Sequence, residues 1–184
     1  MKRSINDTVK ADHVTILACH NRIVYEGDRK QKIRFRNLFT WEVARTLVSK
    51  ELVLLPAMEK FLPEGDLLAR QNRDNYHAVK AELKRFQKLD PTSADFLPSI
   101  NKLMGHLQPQ IREEEAHQLP MLEGVITDKE SDGLAKSFNR TKIFLPTRAH
   151  PGAPNTPFFE TAHGLVTAPF DQFGDLFRKW PQHV

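Results

Sequence analysis

Across the first 130 residues the apolar side chains recur at intervals of three and four rather than two, and only Gly27, Gly65, Gly105 and Gly124 interrupt them. That period is the signature of amphipathic helices and excludes a sheet protein. Four long helical segments follow from it. The first runs from about Ser4, a side chain suited to an N-cap, to Glu26, with Gly27 as a stop. The second spans about Asp28 to Leu62, with a kink expected at Pro56; the third covers about 66–89 and the fourth about 94–124. Pro98 falls in the first turn of the fourth segment, where it is tolerated, whereas Pro109 removes an interior amide and should bend the helix near its middle. Short connections make consecutive helices antiparallel, so residues 1–126 are expected to form an all-α, up-down-up-down four-helix bundle.

Residues 127–184 read as an appendage packed on that bundle. A fifth helix is expected over 128–144, a proline-rich coil over 145–159, and a short aromatic helix with Phe170, Phe173, Phe177 and Trp180 on one face. There is no internal repeat. With 184 residues, 40% apolar and 27% charged, the chain suffices for one core and a tail. No run of about 18 apolar residues exists and the first residues are polar, so the reading is a soluble cytoplasmic protein without a membrane span or secretory signal. The single Cys19 cannot form an internal disulfide and reads as a small buried hydrophobe. A net charge of +4 and the run "RKQKIRFR" (29–36) permit nucleic-acid contact, but no zinc spacing, helix-turn-helix or RNP-like strand accompanies them. The run reads as a solvated helix face, and nucleic acid is not expected as a partner.

Three of the inward stripes carry polar residues among apolar ones. The first helix gives Val9, His13, Ile16, His20 and Ile23; the second gives Phe39, Val43, Thr46, Lys50, Val53 and Ala57. The fourth gives Phe96, Ile100, Leu103, Leu107, Gln110, Glu114, His117 and Met121. Antiparallel packing lets these interruptions meet at one level of the bundle. The third helix has an apolar stripe of Tyr76, Val79, Leu83 and Phe86, which leaves His77 on its shoulder. Histidines and carboxylates facing one another in a bundle are how such folds build metal sites, and the plainer alternative is a hydrogen-bonded polar layer.

The succession "ADHVTIL", "FTWEVARTLVSKELVLLPAMEKFL", "NRDNYHAVKAELKRFQ" and "IREEEAHQLPMLE", continued by "AKSFNRTKIFLPTRAHPGAPNTPFFET", resembles the hemerythrin-like (HHE cation-binding) family, in particular its fungal members. The resemblance covers nearly the whole chain. It implies a di-iron centre held by a His on the first helix, a His-x-x-x-Glu pair on the second, a His on the third and another His-x-x-x-Glu pair on the fourth. In this chain His13, His77 and Glu114 stand at matching positions. Thr46 and Lys50 replace the second helix's pair, and Gln110 replaces the fourth helix's His. An ammonium has three donors and no lone pair for a metal. At about 4 Å and an effective dielectric near 20 it repels a dication by about 8 kcal/mol.

The sequence therefore points to a hemerythrin-like protein that has lost its di-iron site, with no metal and no cofactor expected. Its bundle centre is read as a pocket for a small organic substrate. Lys50, His13, His77 and Glu114 are the candidate acid/base groups, and Thr46, Gln110, His20 and His117 are the candidate substrate contacts. Such a set suits a metal-independent isomerisation, elimination or cyclisation, for instance in a biosynthetic pathway. Two alternatives stay open: a buried Lys50–Glu114 ion pair that only replaces the metal's charge, and a metal- or oxygen-binding protein with a displaced site at His13, His77, Glu114 and His117. Whether the chain forms a homo-oligomer is not readable from the sequence.

Overall fold

A computed structural model describes residues 3–144; the proline-rich coil and the aromatic stripe expected beyond them lie outside the described residues. Helix α1 (Ile5–Tyr25) begins at Ser4, whose hydroxyl accepts the Asp7 amide. The cap expected from the sequence is in place, and the helix stops one residue short of Glu26. Helix α2 (Arg29–Ser49) starts at Asp28, which caps the Gln31 amide, and runs through a π-helical turn (Lys50–Leu54) into α3 (Leu55–Phe61). Helix α4 (Gly65–Phe86) returns. Helix α5 (Phe96–Glu113) then passes through a second π-helical turn (Glu114–Gln118) into α6 (Leu119–Glu123), and α7 (Asp128–Phe144) follows.

These elements make four rods: α1, α2 with α3, α4, and α5 with α6. The first packs on the second and fourth, and the third on its neighbours in sequence, which closes the bundle. The fold is all-α, as the spacing predicts. Helix α7 lies against α1, α2 and the first π turn, with Ala135 and Phe138 buried. Phe39 meets Phe86 edge to face and Phe96 lies tilted against Phe86 in the core, with ring centroids 5.9 and 5.1 Å apart.

The two π turns have one cause. "KELVLLP" (50–56) and "EEAHQLP" (114–120) each place a proline six residues after the residue that opens the turn. In a regular helix the ring at Pro56 or Pro120 would press on the carbonyl four residues earlier. A turn widened by one residue relieves that clash: the Leu55 amide bonds back to the Lys50 carbonyl, and Leu119 to Glu114, five residues each.

The widening shifts every later side chain by one position. On the second rod the residue buried after Lys50 is Leu54, and Val53 is only half-buried. On the fourth rod Gln118 and Leu122 point inward, where regular periodicity expected His117 and Met121. Pro109, by contrast, interrupts neither α5 nor its burial pattern: Leu107, Gln110 and Ile111 flank it in the core.

Candidate functional site: a buried polar centre

The two π turns open on facing residues. Lys50 and Glu114 stand at equivalent places on opposite rods, and the Lys50 ammonium lies 2.5 Å from Glu114 Oε2. The same ammonium is 2.8 Å from His13 Nε2 on α1. The His13 ring turns its other nitrogen outward, 2.7 Å from Glu115 Oε1. One assignment uses both nitrogens: Nδ1–H donates to Glu115, and Nε2 accepts from the ammonium. From α4 the Tyr76 hydroxyl donates to Glu114 Oε1 at 2.7 Å, and Gln110 Nε2 approaches the same oxygen at 3.1 Å.

Four rods thus converge on one carboxylate. Glu114, His13 and Tyr76 have no solvent exposure and Lys50 has 1%, so no water-sized space touches the centre. Burial alone would push the Glu114 carboxyl up. The Lys50 charge, reinforced by the His13 contact, outweighs burial and holds the group well below the usual carboxylate range. The Tyr76 phenol goes the other way, raised well above 10 by burial and then by the Glu114 charge beside it.

Two further layers surround this core. Thr46, one turn before Lys50, donates to Asp12 Oδ2 at 3.0 Å, and the other Asp12 oxygen pairs with Lys142 of α7. On the opposite side an amide ladder joins α4 to the fourth rod. Gln110 Nε2 donates to Asn72 Oδ1 at 2.7 Å, Asn72 Nδ2 to Gln118 Oε1 at 2.8 Å, and Asn75 Nδ2 to Gln110 Oε1 at 2.8 Å. Glu51, beside Lys50, pairs with Lys80 on α4 at 2.5 Å.

Of the eight residues singled out from the sequence, the structure brings five to this level: His13, Thr46, Lys50, Gln110 and Glu114. The other three lie elsewhere. His77 is exposed on the outer face of α4, because Tyr76 takes the inward position of that turn. His117 is turned outward by the π register shift, its side chain 66% exposed and its Nδ1 3.0 Å from Glu113. His20 is half-buried two turns from His13, its Nε2 enclosed without a hydrogen-bond partner and its pKa lowered by burial. The sequence reading missed Tyr76, Asp12, Asn72, Glu115 and Gln118. Tyr76 was visible as a stripe residue, but the aim of its hydroxyl was not. Gln118 becomes inward only after the π turn, for which the proline at a fixed distance from Glu114 was the available signal.

A four-helix bundle whose rods all send polar side chains to a common mid-level, with a carboxylate and a histidine among them, is the arrangement in which helical bundles build metal and ligand sites. The chain belongs to the hemerythrin-like family. It is 40% identical over 178 residues to a hemerythrin-like protein of Schizosaccharomyces pombe, a match covering 96% of this chain and 88% of that one. No family model matches the chain, and no solved structure matches it.

The residues present do not fit the di-iron centre that this family implies. An ammonium caps His13 Nε2 and Glu114 Oε2, the two atoms that would otherwise face a metal and that lie 3.1 Å apart, and engages both. Thr46 and Gln110 bring a hydroxyl and an amide where imidazoles are needed. The displaced mononuclear alternative is not assembled either, since His77 and His117 face away from His13 and Glu114. Among the described residues no group of three or more His, Cys, Asp or Glu side chains is arranged to hold a metal ion. Nor is any described helix long and apolar enough to cross a membrane.

Proposed function

We propose that the bundle centre serves as a metal-independent acid/base site for a small organic molecule, which has to displace side chains of the packed centre to enter, since the pocket expected from the sequence is filled in this structure. The observation that carries this reading is a single hydrogen-bonded chain of ionisable groups. It starts at the Glu115 carboxylate, 36% exposed, passes through His13 and Lys50 to Glu114, and ends at the Tyr76 hydroxyl. Each link is within 2.8 Å, so a proton gained or lost at the dry centre has a path to the bundle surface. In this reading the Lys50 ammonium is the acid and cationic anchor, Glu114 the base, and Tyr76 a donor to a developing oxyanion. Thr46 and Gln110 orient a carbonyl or hydroxyl. Isomerisation, elimination or cyclisation suits these groups, because each needs proton transfer and shape and no redox centre. His77, His20 and His117 lie outside this network and take no part in this reading.

A second reading draws on the completeness of the network itself. Every charged atom at the centre has a partner and no water-sized space remains, which is what a buried ion pair that merely replaces the metal in the core requires. Two experiments separate the readings. Metal analysis of the purified protein should find far less than two irons per chain; two irons would end both. Wild type and Lys50→Met, each shown to be folded, are then incubated with metabolite extracts and compared by mass spectrometry. The acid/base reading expects a compound whose mass is unchanged or reduced by water to turn over with wild type only. Identical profiles favour the structural reading.

A further inference from the structure

We infer that the C-terminal half of α7 is a lid over the α1/α2 seam, latched by Lys142 to Asp12, and that its lifting is the route by which a molecule reaches Thr46 and Lys50. The route rests on the acid/base reading; the lid does not. The seams of the bundle are closed in different ways. Between α4 and the fourth rod stand three amide–amide bonds of 2.7–2.8 Å. Between the second rod and α4 stands the Glu51–Lys80 pair, and between α1 and the fourth rod the contact of His13 with Glu115. Opening any of these parts two rods or breaks the centre itself. The α1/α2 seam is covered instead by α7, a helix outside the four rods that packs on α1, α2 and the first π turn. Beneath it Thr46 bonds Asp12 at 3.0 Å, one turn along α2 from Lys50.

Helix α7 is held unevenly along its length. Near its start the buried Ser131 hydroxyl donates to Glu123 and accepts the Ile5 amide, both at 2.9 Å. Its C-terminal half brings one large side chain into the core, Phe138, and from 139 to 143 no side chain is buried. What ties this end down is the Lys142 ammonium on Asp12. Glu42, itself buried and paired with Arg45 at 2.7 Å, lies within reach of both charges, so Lys142 faces two carboxylates. Lifting this half therefore uncovers one aromatic ring and parts one ion pair, far less than unfolding the core requires.

A second observation favours lifting. Ser49 lies three residues after Thr46 and seven after Glu42, hence on their face of α2. It is fully buried, and its hydroxyl has no hydrogen-bond partner. Water satisfies that hydroxyl once α7 lifts, so the closed state carries a desolvation penalty that the lifted state sheds.

The test is thiol labelling of the full chain under native conditions in Ser49→Cys, which puts a second thiol beneath α7 while Cys19 reports the core. The introduced thiol should react at least about a hundredfold faster than Cys19, at a rate nearly independent of low urea, because lifting a helix end exposes little surface. Adding Lys142→Ala should speed it about tenfold. Asn72→Ala, which weakens the seam between α4 and the fourth rod, should speed Cys19 and leave position 49 unchanged, since the closed and lifted states share that seam. Equal rates at the two thiols, no response to Lys142→Ala, or equal acceleration of both thiols by Asn72→Ala would each overturn the inference. Thr46→Cys gives the same readout if Ser49→Cys does not fold. Labelling needs no substrate, so a lid without turnover would remove the acid/base reading, and the route with it, but not the lid.

Discussion

Replacing Lys50 by Met removes the ammonium while keeping an unbranched side chain of similar length, so the effect reports charge rather than a cavity. At 2.5 Å and an effective dielectric of about 20, the lost attraction to Glu114 is about 7 kcal/mol before compensation. Two things reduce it. The ammonium no longer has to be desolvated, and Glu114 keeps the Tyr76 and Gln110 donors. Breaking one side of a buried pair then costs about 3–5 kcal/mol net. For a domain of this size each kcal/mol moves the melting temperature by about 2–4 °C, so a fall of about 10 °C is expected. Urea denaturation at pH 7, followed by circular dichroism, measures the cost, and Glu114→Gln in the same background removes the stranded charge. The double variant should recover at least half of the loss. A Lys50→Met loss under about 1 kcal/mol, or a double variant whose loss equals the sum of the singles, would refute a tightly coupled buried pair.

Acid should weaken the protein through Glu114. Its folded pKa is depressed, so as pH falls the unfolded chain takes up the proton first; the contribution is complete above the ordinary value of 4.5 and is lost as pH falls through the folded value. Urea midpoints between pH 6 and 3 should therefore decline more steeply in wild type than in Glu114→Gln. The Cys19 thiol, pushed up to about 12 chiefly by burial, should stay unreactive toward a disulfide reagent in the native protein and react only on unfolding; fast native labelling would contradict its placement in the core. Gly65→Ala should be severely destabilising in a thermal melt, because its Cβ would lie 2.0 Å from the Met58 carbonyl oxygen, whereas Gly105→Ala, with open space around it, should stabilise by about 0.5–1 kcal/mol. Lys142→Ala should lower stability by about 1–3 kcal/mol and raise amide exchange in α7, since it leaves the nearly buried Asp12 carboxylate with the Thr46 hydroxyl and no cation. Unchanged exchange in α7 would mean that the helix is held by Phe138 and its apolar neighbours alone.

The sequence by itself determined the class of fold and most of the core. Helical period, the Ser4 cap, glycines at helix ends and apolar stripes are local or nearly local properties, and each finds its place in the bundle. It also allowed Lys50 and Glu114 to share a level, because both lie on their stripes ahead of the register shift that each π turn introduces. Tertiary structure decided what lies beyond them. A proline near the end of the second and of the fourth rod widens the preceding turn by one residue, and on the fourth that insertion rotates His117 out and Gln118 in. A fixed period of 3.6 cannot carry such a shift. Only packing shows that Tyr76 rather than His77 meets Glu114, since a stripe tells which side of a helix is covered but not where a hydroxyl points. One partner of Asp12, Lys142, is likewise supplied by α7, 130 positions away in the chain and folded back over α1, while Thr46 of α2 supplies the other. Periodicity fixes which face of a helix is buried, while the identity of the atoms that meet there depends on the relative rotation of several helices, a quantity no single stretch of chain contains.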